Sequence, residues 1–192
     1  MDEFLQTIIK EAGKIAREYF FRGVAYTTKS TPADFLTEAD IAVSSFLVEK
    51  INREYPAHHI KSEELSDDIN VGAEYEWVID PIDGTKNFAL GVPFWGVMIA
   101  VLQNDQTIMS AVYHPIPDEL FFARRDGGAF VNGTKIMMST KDSLDRAYGL
   151  FHRGAPNGPY GDYFERFREA QVRLSLETNA SAAAFGCSAA LT

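Results

Sequence analysis

The chain has 192 residues, of which 46% are hydrophobic and 23% are charged, and its formal net charge is −9 at pH 7. This composition supports a packed core and excludes a disordered chain. The acidic balance argues against nucleic acid or an anionic membrane as the main partner. A single cysteine, Cys187, excludes an internal disulfide. Because the N-terminus also lacks a signal-peptide pattern and no apolar run can span a bilayer, we expect a cytoplasmic protein.

Two amphipathic helices are predicted in the first part of the chain. Residues 3–21 carry apolar side chains at three- to four-residue spacing, and Gly23 is placed to end this helix. A second helix is predicted over about residues 37–54, with its own apolar face. Thr37 is a suitable N-cap for it, and Asp40 three residues later completes an acidic variant of the capping box.

The middle of the chain is predicted to form a sheet. A short strand over residues 59–62 is followed by a polar loop over residues 66–74. Later strands are separated by turn residues, and Asn132-Gly133 is a hairpin signal. These later strands are predicted at residues 77–79, 94–102, 107–114, 120–123 and 129–131. The spacing predicts an antiparallel meander, not an array of βαβ units.

The succession of predicted strands and turns ends near Lys141, which indicates a subdomain boundary. We predict an N-terminal α+β metal-binding subdomain over residues 1–143 and the start of a C-terminal α/β subdomain over residues 144–192. In the second part, further elements are predicted at residues 146–151, 163–170, 172–176 and 181–191. The last residues carry no stop signal, so we expect the chain to end inside an element and to be part of a longer protein.

The most informative stretch is an apolar strand that runs into Asp80-Pro81-Ile82-Asp83-Gly84-Thr85. Pro81 has no N–H and cannot continue a sheet ladder in mid-strand, and Gly84 permits a sharp turn or a close approach to a ligand. Two carboxylates three residues apart, with the Ile82 carbonyl between them, suit a hard cation such as Mg²⁺. The same residue types are common in turns, and a plain turn is the alternative for this stretch taken alone.

Three segments, in this order, resemble the inositol monophosphatase family of Mg²⁺-dependent, lithium-sensitive phosphomonoesterases. They are residues 29–40, Ser62-Glu63-Glu64, and the Asp-Pro-Ile-Asp-Gly-Thr loop with its following Asn87-Phe88. The resemblance implies an α+β fold, a layered αβαβα sandwich with an antiparallel sheet in its N-terminal half and two helices packed on it. The C-terminal part of that fold is incomplete in this chain. The resemblance also implies a homodimer.

By the same resemblance, two or three Mg²⁺ ions are expected. Glu63, Asp80 and the carbonyl of Ile82 hold the first ion. Asp80 bridges to a second ion that Asp83 also binds, and Glu63 also reaches a third, weaker site.

The resemblance also implies catalytic and substrate-binding roles. Asp40 and Thr85 orient and deprotonate the attacking water, and Glu63 is counted with them as catalytic. The backbone N–H groups of Gly84 and Thr85 hold phosphate oxygens. The expected substrate-binding residues are Ile82, Asp83, Gly84, Thr85, Ser188 and Ala189. The implied reaction is Mg²⁺-dependent hydrolysis of a small phosphate monoester, such as inositol monophosphate or a similar sugar or polyol phosphate.

Several alternatives stay open. The family closes its metal site with a later Asp in a Trp-Asp motif, and none follows residues 185–191, which resemble the substrate-contacting helix. Histidinol phosphate, fructose 1,6-bisphosphate and a 3′-phosphonucleotide are alternative substrates. A dehalogenase-type phosphatase fits less well, because two residues separate the aspartates here. A noncatalytic cation-binding or dimerisation module is the alternative of a different class.

Individual residues have structural alternatives as well. Asp40 could serve only as a first-turn acid that interacts with the helix dipole, Lys29 could be a surface lysine, and Glu64 could be a solvated neighbour of Glu63. The four histidines have no zinc-type spacing and are predicted to be structural or exposed. Cys187 is predicted to be a packed helix residue.

Overall fold

Two helices begin the architecture. The computed structural model describes residues 1–28 and 35–140 of the chain. Helix α1 spans Asp2–Arg22 and helix α2 spans Glu38–Glu54. Between them, strands β1 (Tyr26–Thr28) and β2 (Phe35–Thr37) pair antiparallel in a small ribbon. The buried side chains of α1 recur every three or four residues, and this apolar stripe packs the helix against α2 and the sheet.

Within the described residues, seven strands form one sheet in chain order from β3 to β9. A short helix, α3 (Thr85–Ala89), lies between β4 and β5 in the chain. The strands are β3 (His59–Ser62), β4 (Tyr75–Asp83), β5 (Gly96–Gln103), β6 (Gln106–His114), β7 (Glu119–Arg124), β8 (Gly128–Val131) and β9 (Thr134–Ile136). From β4 onward, each strand pairs antiparallel with the next.

The first pairing of the sheet departs from the predicted antiparallel arrangement. Strands β3 and β4 are parallel, with Ser62 opposite Ile79. A parallel pair needs a crossover of about a dozen residues, and the polar segment over residues 63–74 supplies it. The prediction of a purely antiparallel sheet was therefore wrong at this edge. As a consequence, the C-terminal ends of β3 and β4 lie next to each other.

The core lies between the two helices and one face of the sheet. In register, Trp77 stands opposite Val101, and Ile79 opposite Ile99. The completely or almost completely buried residues of this layer are Leu5, Ile9, Val43, Leu47, Ile51, Ile60, Trp77, Ile79, Val97, Ile99 and Val101. Alternation along the strands turns every second side chain to this face, so the helices cover a continuous apolar surface.

The structure confirms the α+β class, both predicted helices and the order of the predicted strands. Residues Met1–Met137 form one compact unit. The elements predicted beyond residue 144, and the further layers of the predicted sandwich, lie outside the described residues. The division at residues 143 and 144 therefore stays a prediction. Among the described helices, none is long and apolar enough to cross a membrane.

Close contact between α1 and the sheet depends on Gly13, which is buried in the middle of the helix. A Cβ at this position would lie 2.4 Å from Tyr113 Cδ1 and 2.9 Å from Pro115 Cγ. These contacts are shorter than van der Waals packing permits, and both neighbours belong to the packed interior. Glycine therefore lets the helix approach β6 directly.

We expect Gly13→Ala to lower the free energy of unfolding by about 1–3 kcal/mol through overpacking. Helix propensity alone predicts the opposite sign, a gain of about 1 kcal/mol. Urea unfolding followed by circular dichroism measures the difference, with Lys14→Ala at the exposed neighbouring position as the control. A Gly13→Ala chain more stable than the parent would contradict the packing explanation.

Candidate active site

The end of β4 carries the two aspartates of the predicted site. Asp80 stands opposite Met98 and Asp83 opposite Gly96, so three steps along β4 match two steps along β5. This extra residue is a β-bulge, a position where a sheet tolerates proline. Pro81 therefore interrupts the ladder, as predicted, but it does not end the strand, which continues to Asp83.

Gly84 makes the turn from β4 into α3. Its φ is +86°, in the left-handed region that glycine adopts without strain. A Cβ there would also lie 3.2 Å from the carbonyl oxygen of Phe94. Both the backbone angle and the crowding explain why the loop needs glycine here, and the turn places Thr85 at the first position of α3.

Glu63 lies beside this loop because β3 and β4 are parallel neighbours. Its backbone N–H donates a 3.2 Å hydrogen bond to the carbonyl oxygen of Ile79, the residue before Asp80. The Glu63 side chain is exposed, whereas Asp80 is half-buried. Two carboxylates that are 17 positions apart in the chain are thus delivered by adjacent strand ends.

Asp40 joins the site from the first turn of α2, where it is 2% exposed. One carboxylate oxygen accepts hydrogen bonds from the Thr37 backbone N–H at 2.8 Å and the Thr37 hydroxyl at 2.6 Å, which completes the predicted capping box. The other oxygen lies 3.3 Å from the Thr85 hydroxyl. Asp40 therefore caps α2 and also contacts the first residue of α3, so it is more than a first-turn acid.

The Thr85 hydroxyl has two acceptors within reach. Besides the carboxylate of Asp40, it lies 2.9 Å from the carbonyl oxygen of Ile82. A hydroxyl has one proton and can also accept a hydrogen bond. The Thr85 proton is therefore donated either to the Asp40 carboxylate or to the Ile82 carbonyl, or is shared between them. The lone pairs of the Thr85 oxygen remain available to a third group such as water.

The electrostatics of the site centre on Asp80. Its pKa is raised to about 7, chiefly by burial and also by the carboxylates of Glu63, Asp83 and Asp40, against a hydrogen bond from the Ile82 backbone. Burial also raises the pKa of Asp40, although hydrogen bonds from Thr37 and Thr85 oppose the change. Four acidic groups therefore create a region of negative potential around one half-buried carboxylate.

One oxygen of Asp80 gives a direct test of whether these residues suit a metal ion. Oδ1 of Asp80 is buried and has no hydrogen-bond partner in the described structure. No three His, Cys, Asp or Glu side chains in the described ranges form a group able to hold a metal by themselves. Mg²⁺ commonly uses only one or two carboxylates and completes its shell with water and phosphate. The unpartnered anionic oxygen and its acidic neighbours therefore fit such an ion.

Other predicted residues fall outside this group. Ser188, Ala189, Lys29 and Cys187 lie outside the described residues. Three histidines have structural roles, as predicted: His58 accepts a hydrogen bond from Trp77, His59 lies near Asp68 and Glu76, and His114 contacts the Trp95 carbonyl. His152 also lies outside the described part.

The sequence patterns missed a pair of serines beside the site. Ser44 on α2 and Ser62 at the end of β3 are buried, and their hydroxyl oxygens are 2.8 Å apart. A weak signal was available: Ser44 follows Asp40 by four positions, which places both on one helix face, and Ser62 directly precedes Glu63.

Comparison with known proteins gives consistent results. The sequence model of the inositol monophosphatase family matches residues 1–189. An inositol monophosphatase of Dictyostelium discoideum is 37% identical over 153 residues, which are 77% of this chain and 56% of that protein. The Nus factor SuhB of Salmonella typhimurium is 35% identical over 136 residues, 71% of this chain and 51% of that protein. The chain thus spans little more than half the length of these curated relatives.

Solved structures agree with the fold. The extragenic suppressor protein SuhB of Bartonella henselae superposes with a TM-score of 0.77 at 26% identity, covering 88% of this chain and 66% of that one. An IMPase/NADP phosphatase complexed with Mg²⁺ and phosphate superposes with a TM-score of 0.63 at 25% identity, covering 70% and 51%. The family match over almost the whole length, together with these neighbours, shows that the chain belongs to the inositol monophosphatase family.

Proposed function

We propose that the protein containing this chain hydrolyses a small phosphate monoester, such as an inositol phosphate or a similar polyol or sugar phosphate, in a Mg²⁺-dependent reaction. The observation that carries the proposal is the convergence of the Asp40–Thr85 contact with the unpartnered oxygen of Asp80. Family membership supports a phosphatase, and the relative complexed with Mg²⁺ and phosphate supports the cofactor.

The metal-binding groups in this proposal are the carboxylates of Glu63, Asp80 and Asp83 and the carbonyl of Ile82, for two or three ions. When bound, Mg²⁺ neutralises phosphate charge and lowers the pKa of coordinated water. Among these groups, Asp80 is half-buried and Glu63 is exposed. The bulge at Pro81 turns the Ile82 carbonyl out of the regular ladder.

Water activation is assigned to Thr85 and Asp40. The hydroxyl of Thr85 orients a water molecule through a lone pair while its proton points to Asp40 or Ile82. With the Thr85 proton directed to Asp40, the attacking water passes a proton to the Thr85 oxygen while the Thr85 hydroxyl proton passes to Asp40, whose pKa is raised by burial. The capping-box bonds from Thr37 fix this carboxylate in one orientation.

Phosphate orientation is assigned to the turn at Gly84. Its left-handed backbone directs the chain from β4 into α3, and the backbone N–H groups of Gly84 and Thr85 are the expected donors to phosphate oxygens. A Cβ at Gly84 would face the Phe94 carbonyl and Trp95, so glycine here serves the close packing of the turn. Ser188 and Ala189 remain proposed substrate contacts by family resemblance alone.

A noncatalytic role is the second candidate. Some relatives are named Nus factor SuhB and not inositol monophosphatase. A cation-binding module would need the acidic cluster but not the contact between Asp40 and Thr85. Phosphate release by the complete protein separates the two candidates, and a panel of inositol, histidinol, fructose and 3′-nucleotide phosphates separates the substrate classes.

We expect Asp40→Asn to reduce kcat for inositol monophosphate by about 10²–10⁴-fold, because proton transfer to a positioned base is lost. Asparagine keeps an oxygen acceptor for the cap, so the fold and Mg²⁺ binding should persist. Phosphate release by the complete protein provides the measurement. Glu38→Gln, an exposed acid in the same helical turn, is the control. Equal rates for Asp40→Asn and Glu38→Gln would mean that Asp40 is only a helix acid.

Mg²⁺ should stabilise the 192-residue chain through binding to the folded state. At a hundredfold excess over Kd, the gain is about 2.7 kcal/mol. Thermal unfolding with and without Mg²⁺ measures the gain as a rise in Tm. Asp80→Asn should abolish most of that rise, whereas Asp105→Asn on an exposed turn should preserve it. An Asp80→Asn chain that responds to Mg²⁺ like the parent would remove Asp80 from the metal site.

Without divalent cations, the pKa of Asp80 predicts the sign of a pH dependence. The folded pKa of about 7 lies above the ordinary value of 3.8, so the folded chain binds more protons between these values. The contribution of Asp80 to the free energy of unfolding is fully present below about pH 4 and is lost as the pH rises through 7. Asp80→Asn should therefore raise the free energy of unfolding at pH 8 in EDTA, by about 1–3 kcal/mol. Urea titrations at pH 5 and pH 8 test this, and a variant advantage of equal size at both would oppose it.

A further inference from the structure

A pair of buried hydroxyl groups connects the two elements that supply Asp40 and Glu63. Ser44 is 3% exposed and Ser62 is 5% exposed, and their Oγ atoms are 2.8 Å apart. Ser44 lies one helical turn after Asp40 on the inner face of α2. Ser62 is the last residue of β3 and immediately precedes Glu63. The bond therefore joins the helix to the strand end at the level of the site.

The strand side of this bond is itself fixed on β4. Ser62 stands opposite Ile79 in the parallel register, and the next residue, Glu63, donates its N–H to the Ile79 carbonyl. The Ser62 carbonyl accepts a 3.1 Å hydrogen bond from the Leu65 N–H and so closes the turn that carries Glu63. Movement of Ser62 would shift this turn relative to Asp80.

Stability alone gives little reason for two buried hydroxyls at this contact. A buried pair of hydroxyls that hydrogen-bond to each other adds little over an apolar pair of the same shape, whereas losing one partner is costly. Serine also has a lower helix propensity than alanine in the interior of α2. Two alanines would fill nearly the same space without a directional bond, so what the serine pair adds is a fixed distance between α2 and β3.

We propose that Ser44 and Ser62 are positioning residues that hold the Glu63 turn against the helix carrying Asp40, and thereby set the affinity of the site for Mg²⁺. This inference rests on the proposed function and adds two residues to it. Both hydroxyls are buried and bonded to each other, so neither serine is proposed as a ligand of the ion or the substrate. Their bond holds the turn that carries Glu63 beside Asp80, where both carboxylates would be ligands of the cation.

The test compares two double variants of the protein containing this chain. Ser44→Ala/Ser62→Ala removes both hydroxyls and leaves no unsatisfied partner. Ser45→Ala/Ser66→Ala removes two exposed serines, one from the same helix and one from the loop that follows Glu63. Calorimetric titration with Mg²⁺ at about 25 °C gives the Kd of each variant. Thermal unfolding in EDTA gives the Tm of each metal-free variant.

We expect the buried double variant to bind Mg²⁺ roughly 3–10-fold more weakly, near the lower end of the effect of outer-shell partners on metal affinity. Its metal-free Tm should stay close to that of the parent protein, and the exposed double variant should match the parent in both measurements. Should the buried double variant fail to fold, Ser44→Cys decides, because the thiol is similar in size but a weaker hydrogen-bond partner. A weakened Kd for Ser44→Cys supports the assignment, and an unchanged Kd overturns it.

The outcomes separate the two proposals. If the parent protein binds no Mg²⁺, the proposed function fails and this inference fails with it. If the parent binds and the buried variant binds with the same Kd, only the positioning role of the serines is overturned. That role is also overturned if the buried variant loses Tm but keeps its Kd, because the pair would then act on the fold alone.

Discussion

The parallel pairing of β3 with β4 is the constraint on which the candidate site depends. An antiparallel partner would deliver its end to the opposite side of the sheet, whereas a parallel partner delivers Glu63 beside Asp80. The polar segment over residues 63–74 provides the crossover that this direction requires. The parallel direction of one edge strand thus makes Glu63 and Asp80, which are distant in sequence, neighbours in the structure.

The proximity of these carboxylates has an electrostatic cost. The charged groups that shift the pKa of Asp80 include no cationic side chain that would offset this cost. These groups are Glu63, Asp83 and Asp40, all acidic, and burial adds to their effect. A structural ion-pair network would contain bases that lower such a pKa. Clustered acids with an unpartnered buried oxygen instead resemble a site arranged for a cation. This contrast separates the metal-site hypothesis from the simple turn.

Much of this arrangement could be predicted from the sequence, because its signals are local. The capping box of Thr37 and Asp40 follows from residue types three positions apart, and the left-handed turn from a glycine between a strand and a helix. The parallel direction of β3 was not predictable in this way, since no periodicity within a four-residue strand specifies its partner. The serine pair was missed because a buried serine has no pattern of its own, and its meaning appears only when Ser44 and Ser62 meet across 18 positions.

Asp40 combines a contact that stabilises a helix with a contact that the proposed mechanism uses. Asp40 uses one oxygen to cap α2 and the other to contact Thr85, so its orientation is fixed by bonds that stabilise the helix. A carboxylate held only by substrate or metal would have to be ordered at the moment of reaction, and that ordering has an entropic cost. Because the capping box orders Asp40 during folding, the proposed mechanism needs no further ordering of the base that would receive the proton from a water molecule at Thr85.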